Sequence, residues 1–155
     1  MVEPLERPLS SYIHTQFVTA DENSSVAEAV KILQSKDVEI ILVTANGKYV
    51  GIVTDSDILE KVVMKGEDSD LVFLKSIMTS PIITLPSSST VRQAIKVMRA
   101  HKIKHLPVTD STNNDEEEKK IIGTVTQEYL AEVIRIAVVE KTFRSYRKVI
   151  REHYK

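Results

Sequence analysis

The chain contains two copies of one short pattern, and that duplication constrains its fold more than any other feature. Ser24-Ser25-Val26-Ala27-Glu28-Ala29-Val30-Lys31-Ile32-Leu33 returns as Ser89-Thr90-Val91-Arg92-Gln93-Ala94-Ile95-Lys96-Val97-Met98. Gly51-Ile52-Val53-Thr54-Asp55-Ser56-Asp57-Ile58 returns as Gly123-Thr124-Val125-Thr126-Gln127-Glu128-Tyr129-Leu130. The first pair lies 65 positions apart and the second 72, so the second copy carries an insertion around Asn113 to Lys120. A unit this small does not bury its apolar face alone and is expected to pack on its twin. The expected result is a pseudo-twofold pair with two related clefts, and clefts at repeat interfaces are where small molecules bind.

The pattern within each copy mixes helix and strand. Ser24-Ser25 reads as a helix cap, followed by Val26, Ala29, Val30 and Leu33 at helical spacing with Glu28 and Lys31 facing outward. Val38 to Thr44 is an apolar, β-branched run expected to form a buried strand. Asn46-Gly47 marks a tight hairpin turn, Tyr49 to Val53 the returning strand, and Thr54-Asp55 the cap of a helix reaching about Met64. Lys65 to Asp70 is a polar linker, and Leu71 to Met78 a short helix. The second copy repeats the order: strand Pro81 to Leu85, helix Val91 to His101, strand Ile103 to Thr109, a polar loop Asp110 to Lys120, and strand Ile121 to Val125. The fold class is therefore α/β (α+β). Residues 1–9 are assigned as a tail, 10–65 as the first repeat, 66–133 as the second, and 134–155 as a C-terminal helix.

That last helix has Val139, Phe143, Tyr146, Ile150 and Tyr154 on one face and Lys141, Arg144, Arg147, Lys148 and Arg151 around the rest. The stripe fits docking on the chain's own core or on a twin subunit. The basic face also fits RNA, an anionic membrane or a protein partner.

Composition closes several routes. Net charge is −1, which disfavours a dedicated nucleic-acid binder. There is no cysteine, hence no disulfide, thiolate nucleophile or cysteine metal site, and a cytoplasmic setting is expected. Met1 to Ser10 has no apolar core and is not expected to be a secretory signal. Apolar runs are too short for a membrane span. His101 and His105 straddle the end of a helix, so their side chains should diverge and no metal site is expected. No nucleophile, base and orienting group fall into a recognisable arrangement, so no enzyme and no cofactor are expected.

The chemistry centres on Thr54-Asp55-Ser56-Asp57 at a strand–helix junction. A helix start offers N–H groups and a positive dipole end to a phosphate. The Thr54 hydroxyl can donate to phosphate oxygen, Asp57 can accept from both hydroxyls of a ribose, and Ile52 and Val53 can flank a base. The same Thr-x-x-Asp spacing is also an ordinary helix cap.

The order helix, strand, strand, Gly-h-h-Thr-x-x-Asp, helix, given twice, resembles the cystathionine-β-synthase (CBS) domain family. Ile77-Met78-Thr79-Ser80-Pro81 and His105-Leu106-Pro107-Val108 add to the likeness, which covers about residues 10 to 135. The resemblance implies two βαββα units packed as a tandem pair, or Bateman module, that senses AMP, ADP, ATP or S-adenosylmethionine between its repeats. It also implies a homodimer that regulates a partner protein and does not itself catalyse. It implies ribose binding at Asp57 with Thr54, a base among Ile52, Val53, Pro81, Ile82 and Ile83, and phosphate near Lys104 and His105. A second, degraded site is implied at Thr124, Thr126 and Tyr129, with Val18 and Ile40 from the first copy. Tyr129 stands where Asp57 stands and cannot chelate a ribose. Two alternatives stay open: a ligand-free dimerisation or docking module, and a nucleic-acid accessory using the basic tail.

Overall fold

Ser25 starts the first helix: its Oγ accepts the Glu28 N–H at 3.2 Å, and α1 runs Val26–Lys36. In this computed structural model, residues 3–36, 38–111 and 120–153 are described. The chain divides into two compact units, His14–Thr84 and Met1–Ile13 together with Leu85–Lys155. Each is built around its own three-stranded sheet.

In the unit His14–Thr84, β1 (Val18–Asp21) pairs parallel with β2 (Ile40–Ala45), which pairs antiparallel with β3 (Lys48–Thr54). A parallel pair needs a crossover, and α1 supplies it. The hairpin turn is as expected. Asn46 and Gly47 have φ of 53° and 78°, the left-handed pair that a tight turn between twisted strands requires. Val26 and Ala29 of α1 pack with Val18, Ile41, Val43 and Val53 of the sheet, and with Val62, Leu74 and Ile77. Ile40 and Leu42, on the other face of β2, are buried as well. Burial on both faces explains why this strand reads as a continuous apolar run.

The other unit repeats the plan with β4 (Leu85–Pro86), α4 (Val91–His101), β5 (His105–Thr109) and β6 (Ile121–Thr126). Thr90 Oγ1 accepts the Gln93 N–H at 3.2 Å while Gln93 Oε1 accepts the Thr90 N–H at 2.8 Å, closing a capping box. Lys102 ends the helix in the left-handed region, with φ 55°. Both hairpins carry a register shift at the same place, between Val43 and Thr44 and between Val108 and Thr109. The loop of the second hairpin is closed by the Asp110 N–H on the Lys120 carbonyl at 3.0 Å. Residues 112–119, and with them nearly all of the expected insertion and polar loop, lie outside the described residues.

Three expectations need correction. The strand expected over Pro81 to Leu85 is only Leu85–Pro86; Pro81 has no N–H for a ladder, and pairing begins at Leu85. The helix expected from Leu71 to Met78 shortens to α3 (Leu74–Ile77), because Val72 and Phe73 pair with the start of α1. The helix after Thr54 is α-helical only over α2 (Asp55–Ile58) and continues as a wider π turn over Leu59–Val63.

The largest departure concerns the segment before each repeat. At the head of α1, Val26 N–H donates to the Val72 carbonyl (2.9 Å) and Leu74 N–H to the Ser24 carbonyl (3.0 Å). At the head of α4, Val91 N–H donates to the Arg7 carbonyl (3.0 Å) and Leu9 N–H to the Ser89 carbonyl (2.8 Å). Arg7 and Val72, and likewise Leu9 and Leu74, share the 65-residue offset of the repeat. Each helix is thus capped by the segment that precedes the other copy. Residues 3–9 are therefore more than a tail: Leu9 is fully buried, and Glu6 Oε1 meets Arg92 Nε at 2.8 Å.

The second unit ends in α5 (Gln127–His153), which joins the expected cap at Thr126 and the expected C-terminal helix into one element. Tyr154 lies outside the described residues. Among the described residues no helix is long and apolar enough to cross a membrane.

Two outcomes follow from this packing. Leu9→Ala should lower unfolding free energy by about 2–5 kcal/mol, as for a leucine in a closed core; urea denaturation measures it, and a loss under about 0.5 kcal/mol would contradict the capping role. Gly51→Ala places a methyl 2.7 Å from Met78 Sδ and 2.9 Å from the Thr79 carbonyl. It should cost about 1–3 kcal/mol in the same assay.

Candidate functional site

The junction between β3 and α2 is organised by Asp57. Its Oδ2 accepts the Thr54 N–H at 2.9 Å and the Thr54 hydroxyl at 3.2 Å, and its own N–H donates to Thr54 Oγ1 at 3.2 Å. Its Oδ1 meets Lys61 Nζ at 3.0 Å, one helical turn on, and the same ammonium donates to the Ile77 carbonyl at 2.8 Å. The Asp57 side chain is 15% exposed. Both readings of Thr-x-x-Asp therefore meet at one carboxylate: it is a helix cap, and it is held in a single orientation near the surface. Carboxylate oxygens accept more than one hydrogen bond each, so this anchoring leaves acceptor capacity for a further donor.

The N–H groups at the start of α2 are a different matter. Asp55 N–H donates to the Glu39 carbonyl (3.1 Å), Ser56 N–H to Asp55 Oδ1 (2.9 Å), and Asp57 N–H to Thr54 Oγ1. All three are engaged, and the first turn carries two acidic side chains. The α-helical stretch is also only four residues long, so little dipole accumulates. The Thr54 hydroxyl proton points to Asp57. The phosphate-facing role expected for this turn is not what its hydrogen bonds provide.

The other first-site residues divide by unit. Ile52, Val53, Thr54, Asp57, Pro81, Ile82 and Ile83 all belong to His14–Thr84. Ile52 is half-buried and its backbone exchanges two hydrogen bonds with Thr79 (3.1 and 2.9 Å), so the chain runs from beside Ile52 directly to Pro81. Ile82 and Ile83 are half-buried and Pro81 is exposed. Val53 is fully buried in the core cluster, so only its backbone is available to a ligand. Lys104 and His105 belong to the other unit. Lys104 is exposed and its carbonyl accepts the Gln127 N–H at 2.9 Å; His105 is half-buried at the start of β5, opposite Thr126. His101 closes α4 and His105 opens β5, separated by the left-handed Lys102. Among the described residues no cluster of three metal-binding side chains occurs.

The second-site residues show what replaces Asp57. Thr126 Oγ1 still accepts the N–H three residues on, from Tyr129 at 3.1 Å, but the reciprocal carboxylate bond is gone. Tyr129 instead lies edge-to-face with Tyr12, ring centroids 6.3 Å apart, and the Tyr12 hydroxyl accepts from Arg7 at 3.3 Å. An aromatic contact to the N-terminal segment stands where the first copy has a fixed carboxylate. Thr124 is buried. Val18 and Ile40 are buried in the unit His14–Thr84, Val18 within its core cluster.

Sequence reasoning missed Lys61, which orients the Asp57 carboxylate. The i, i+4 spacing of opposite charges was the available signal. It also missed the Tyr12–Tyr129 contact, for which sequence offers none.

Comparison with known proteins identifies the repeated unit. The CBS domain family model matches residues 9–64 and 74–136. A crystal structure of an uncharacterised conserved protein from Pyrococcus horikoshii superposes with a TM-score of 0.71 at 30% identity, covering 84% of this chain and 94% of that one. The CBS domain pair of protein MJ0100, solved with 5′-methylthioadenosine and S-adenosyl-L-methionine, gives 0.69 at 26% identity, covering 83% and 95%. An uncharacterised protein of Methanopyrus kandleri is 28% identical over 127 residues, 81% of this chain; the chain spans only 62% of that protein's length. Two matched repeats, two sheets of the same order and a duplicated strand–helix junction lead to one conclusion: this chain belongs to the CBS domain family and carries two copies of the domain.

Proposed function

We propose that the chain is a non-catalytic regulatory module that binds an adenosyl compound at the β3–α2 junction and passes the signal to a partner protein. The observation that carries this reading is the Asp57 carboxylate, held by Thr54 on one oxygen and Lys61 on the other. A fixed acceptor of this kind suits a ribose hydroxyl, which would use the remaining acceptor site. Support comes from the related CBS pair solved with two adenosyl ligands. Because the N–H groups of α2 are engaged, recognition rests on ribose and base more than on phosphate. An adenosyl ligand such as S-adenosylmethionine is thus as well suited as AMP, ADP or ATP.

A second reading, a ligand-free assembly module, draws on the same completeness of hydrogen bonding around Thr54 and Asp57. Calorimetric titration separates the two. Adenosine, AMP, ATP and S-adenosylmethionine are titrated into the wild type, Asp57→Asn and Thr126→Val. Asp57→Asn keeps an acceptor for the Thr54 N–H but loses the charge. The sensor reading expects saturable binding of about one ligand per chain, weakened about ten- to hundredfold by Asp57→Asn, as for loss of a charged hydrogen-bond acceptor. Thr126→Val, which removes the matching cap in the other unit, should leave binding unchanged. Absence of heat with every ligand, from folded protein, would leave the assembly reading standing.

A further inference from the structure

The Asp57 carboxylate has one acceptor site left over, and the ammonium beside it has one donor left over. An ionised carboxylate offers about two lone-pair sites on each oxygen. Oδ2 uses both on Thr54, taking its N–H and its hydroxyl. Oδ1 takes only the Lys61 ammonium, at 3.0 Å. An ammonium carries three N–H donors. Lys61 gives one to Asp57 Oδ1 and one to the Ile77 carbonyl at 2.8 Å, and among the described residues these are its bonds. The open acceptor and the open donor therefore sit on atoms 3.0 Å apart. Both side chains reach the surface, Asp57 at 15% and Lys61 at 37% exposure.

One open acceptor cannot take both hydroxyls of a ribose as donors. A hydroxyl also accepts, so the second one can be met by an N–H. Lys61 Nζ supplies it, at a distance from Oδ1 close to that between neighbouring oxygens on a ribose ring. Two bonds already fix the lysine, so presenting its third donor costs little of the rotamer freedom that a surface lysine loses on binding. It stands in the π turn Leu59–Val63 that continues α2, an irregularity frequent at functional sites. At the 72-residue offset of the second copy, Tyr129 replaces Asp57 and Val133 replaces Lys61. Acceptor and donor are lost together there, and the strand–helix junction still forms. The fold of the repeat does not require the pair.

We propose that Lys61 is a specificity-determining residue for the ribose: Asp57 Oδ1 accepts from one hydroxyl while Lys61 Nζ donates to its neighbour. This rests on the adenosyl-binding reading above and narrows it to ligands whose 2′ and 3′ hydroxyls are both free.

The test is calorimetric titration of the full chain, comparing changes in the ligand with changes in the protein. Adenosine and AMP, each with its 2′-deoxy and 3′-deoxy form, are titrated into wild type, Lys61→Met and Lys61→Arg. Lys61 is partly exposed, so both variants are expected to fold. Loss of either hydroxyl should weaken wild-type binding about tenfold, as for a hydrogen bond to a charged group. Lys61→Met should erase one of those two penalties and keep the other, and Lys61→Arg, which retains a cationic donor, should restore it. A lysine that only props the carboxylate gives a different result. Lys61→Met then weakens every ligand by one factor with both penalties intact, and that overturns the inference. A wild type indifferent to the loss of either hydroxyl overturns it too, without any variant. A wild type that binds none of these ligands defeats the adenosyl reading itself and this inference with it, whereas binding with unchanged penalties defeats this inference alone.

Discussion

Two pairs of backbone hydrogen bonds hold the rest of this structure in place. At the head of α1 they join Val26 to Val72 and Leu74 to Ser24; at the head of α4 they join Val91 to Arg7 and Leu9 to Ser89. A helix start leaves N–H groups that must find acceptors, and here main chain from outside the repeat provides them. The same bonds bring Leu74 and Leu9 under the helices, where each is completely enclosed. In the unit His14–Thr84 that closure fixes Ile77, whose carbonyl accepts from Lys61, and so the position of the ammonium beside Asp57. The orientation of the candidate ligand carboxylate is thus tied to how the following segment returns to cap α1.

The duplicated junctions show how a repeat diverges without losing its fold. Both keep the threonine cap and the backbone bond from the first helical residue to the residue just before the central strand, Asp55 to Glu39 and Gln127 to Lys104. What changes is the residue that closes the turn. A carboxylate closes it in one copy and leaves acceptor capacity over. A tyrosine in the other turns the position toward aromatic packing against Tyr12. Structure is conserved between the copies at this point while chemistry is not.

Much of this was legible in the sequence because it rests on side-chain pattern. The Asn46-Gly47 turn, the Thr90–Gln93 capping box, both central strands and the Thr54–Asp57 pairing each have a local signature. The reciprocal capping has none: its bonds are backbone to backbone, and Leu9 is a lone apolar residue among Pro8, Ser10 and Ser11. Its match to Leu74 at the repeat offset was present but too short to stand out. The extent of the Pro81–Leu85 strand failed because it depends on which partner the segment meets, which β-propensity does not encode. The burial of the Val53 side chain was hidden for a related reason: alternation along β3 says which residues share a face but not which face is the core.

The reciprocal capping also orders the events of synthesis. Everything in the unit His14–Thr84 is contiguous, so it can close once its last residues emerge. The other unit cannot: Arg7 and Leu9 are made before it, yet their partners Ser89 and Val91 come about eighty residues later, a long loop whose closure costs entropy before any contact rewards it. The N-terminal segment therefore waits, its leucine in water, while the middle of the chain folds ahead of it. Domains generally fold as units in the order they leave the ribosome. Here residues made ahead of the contiguous unit belong to the one that closes after it.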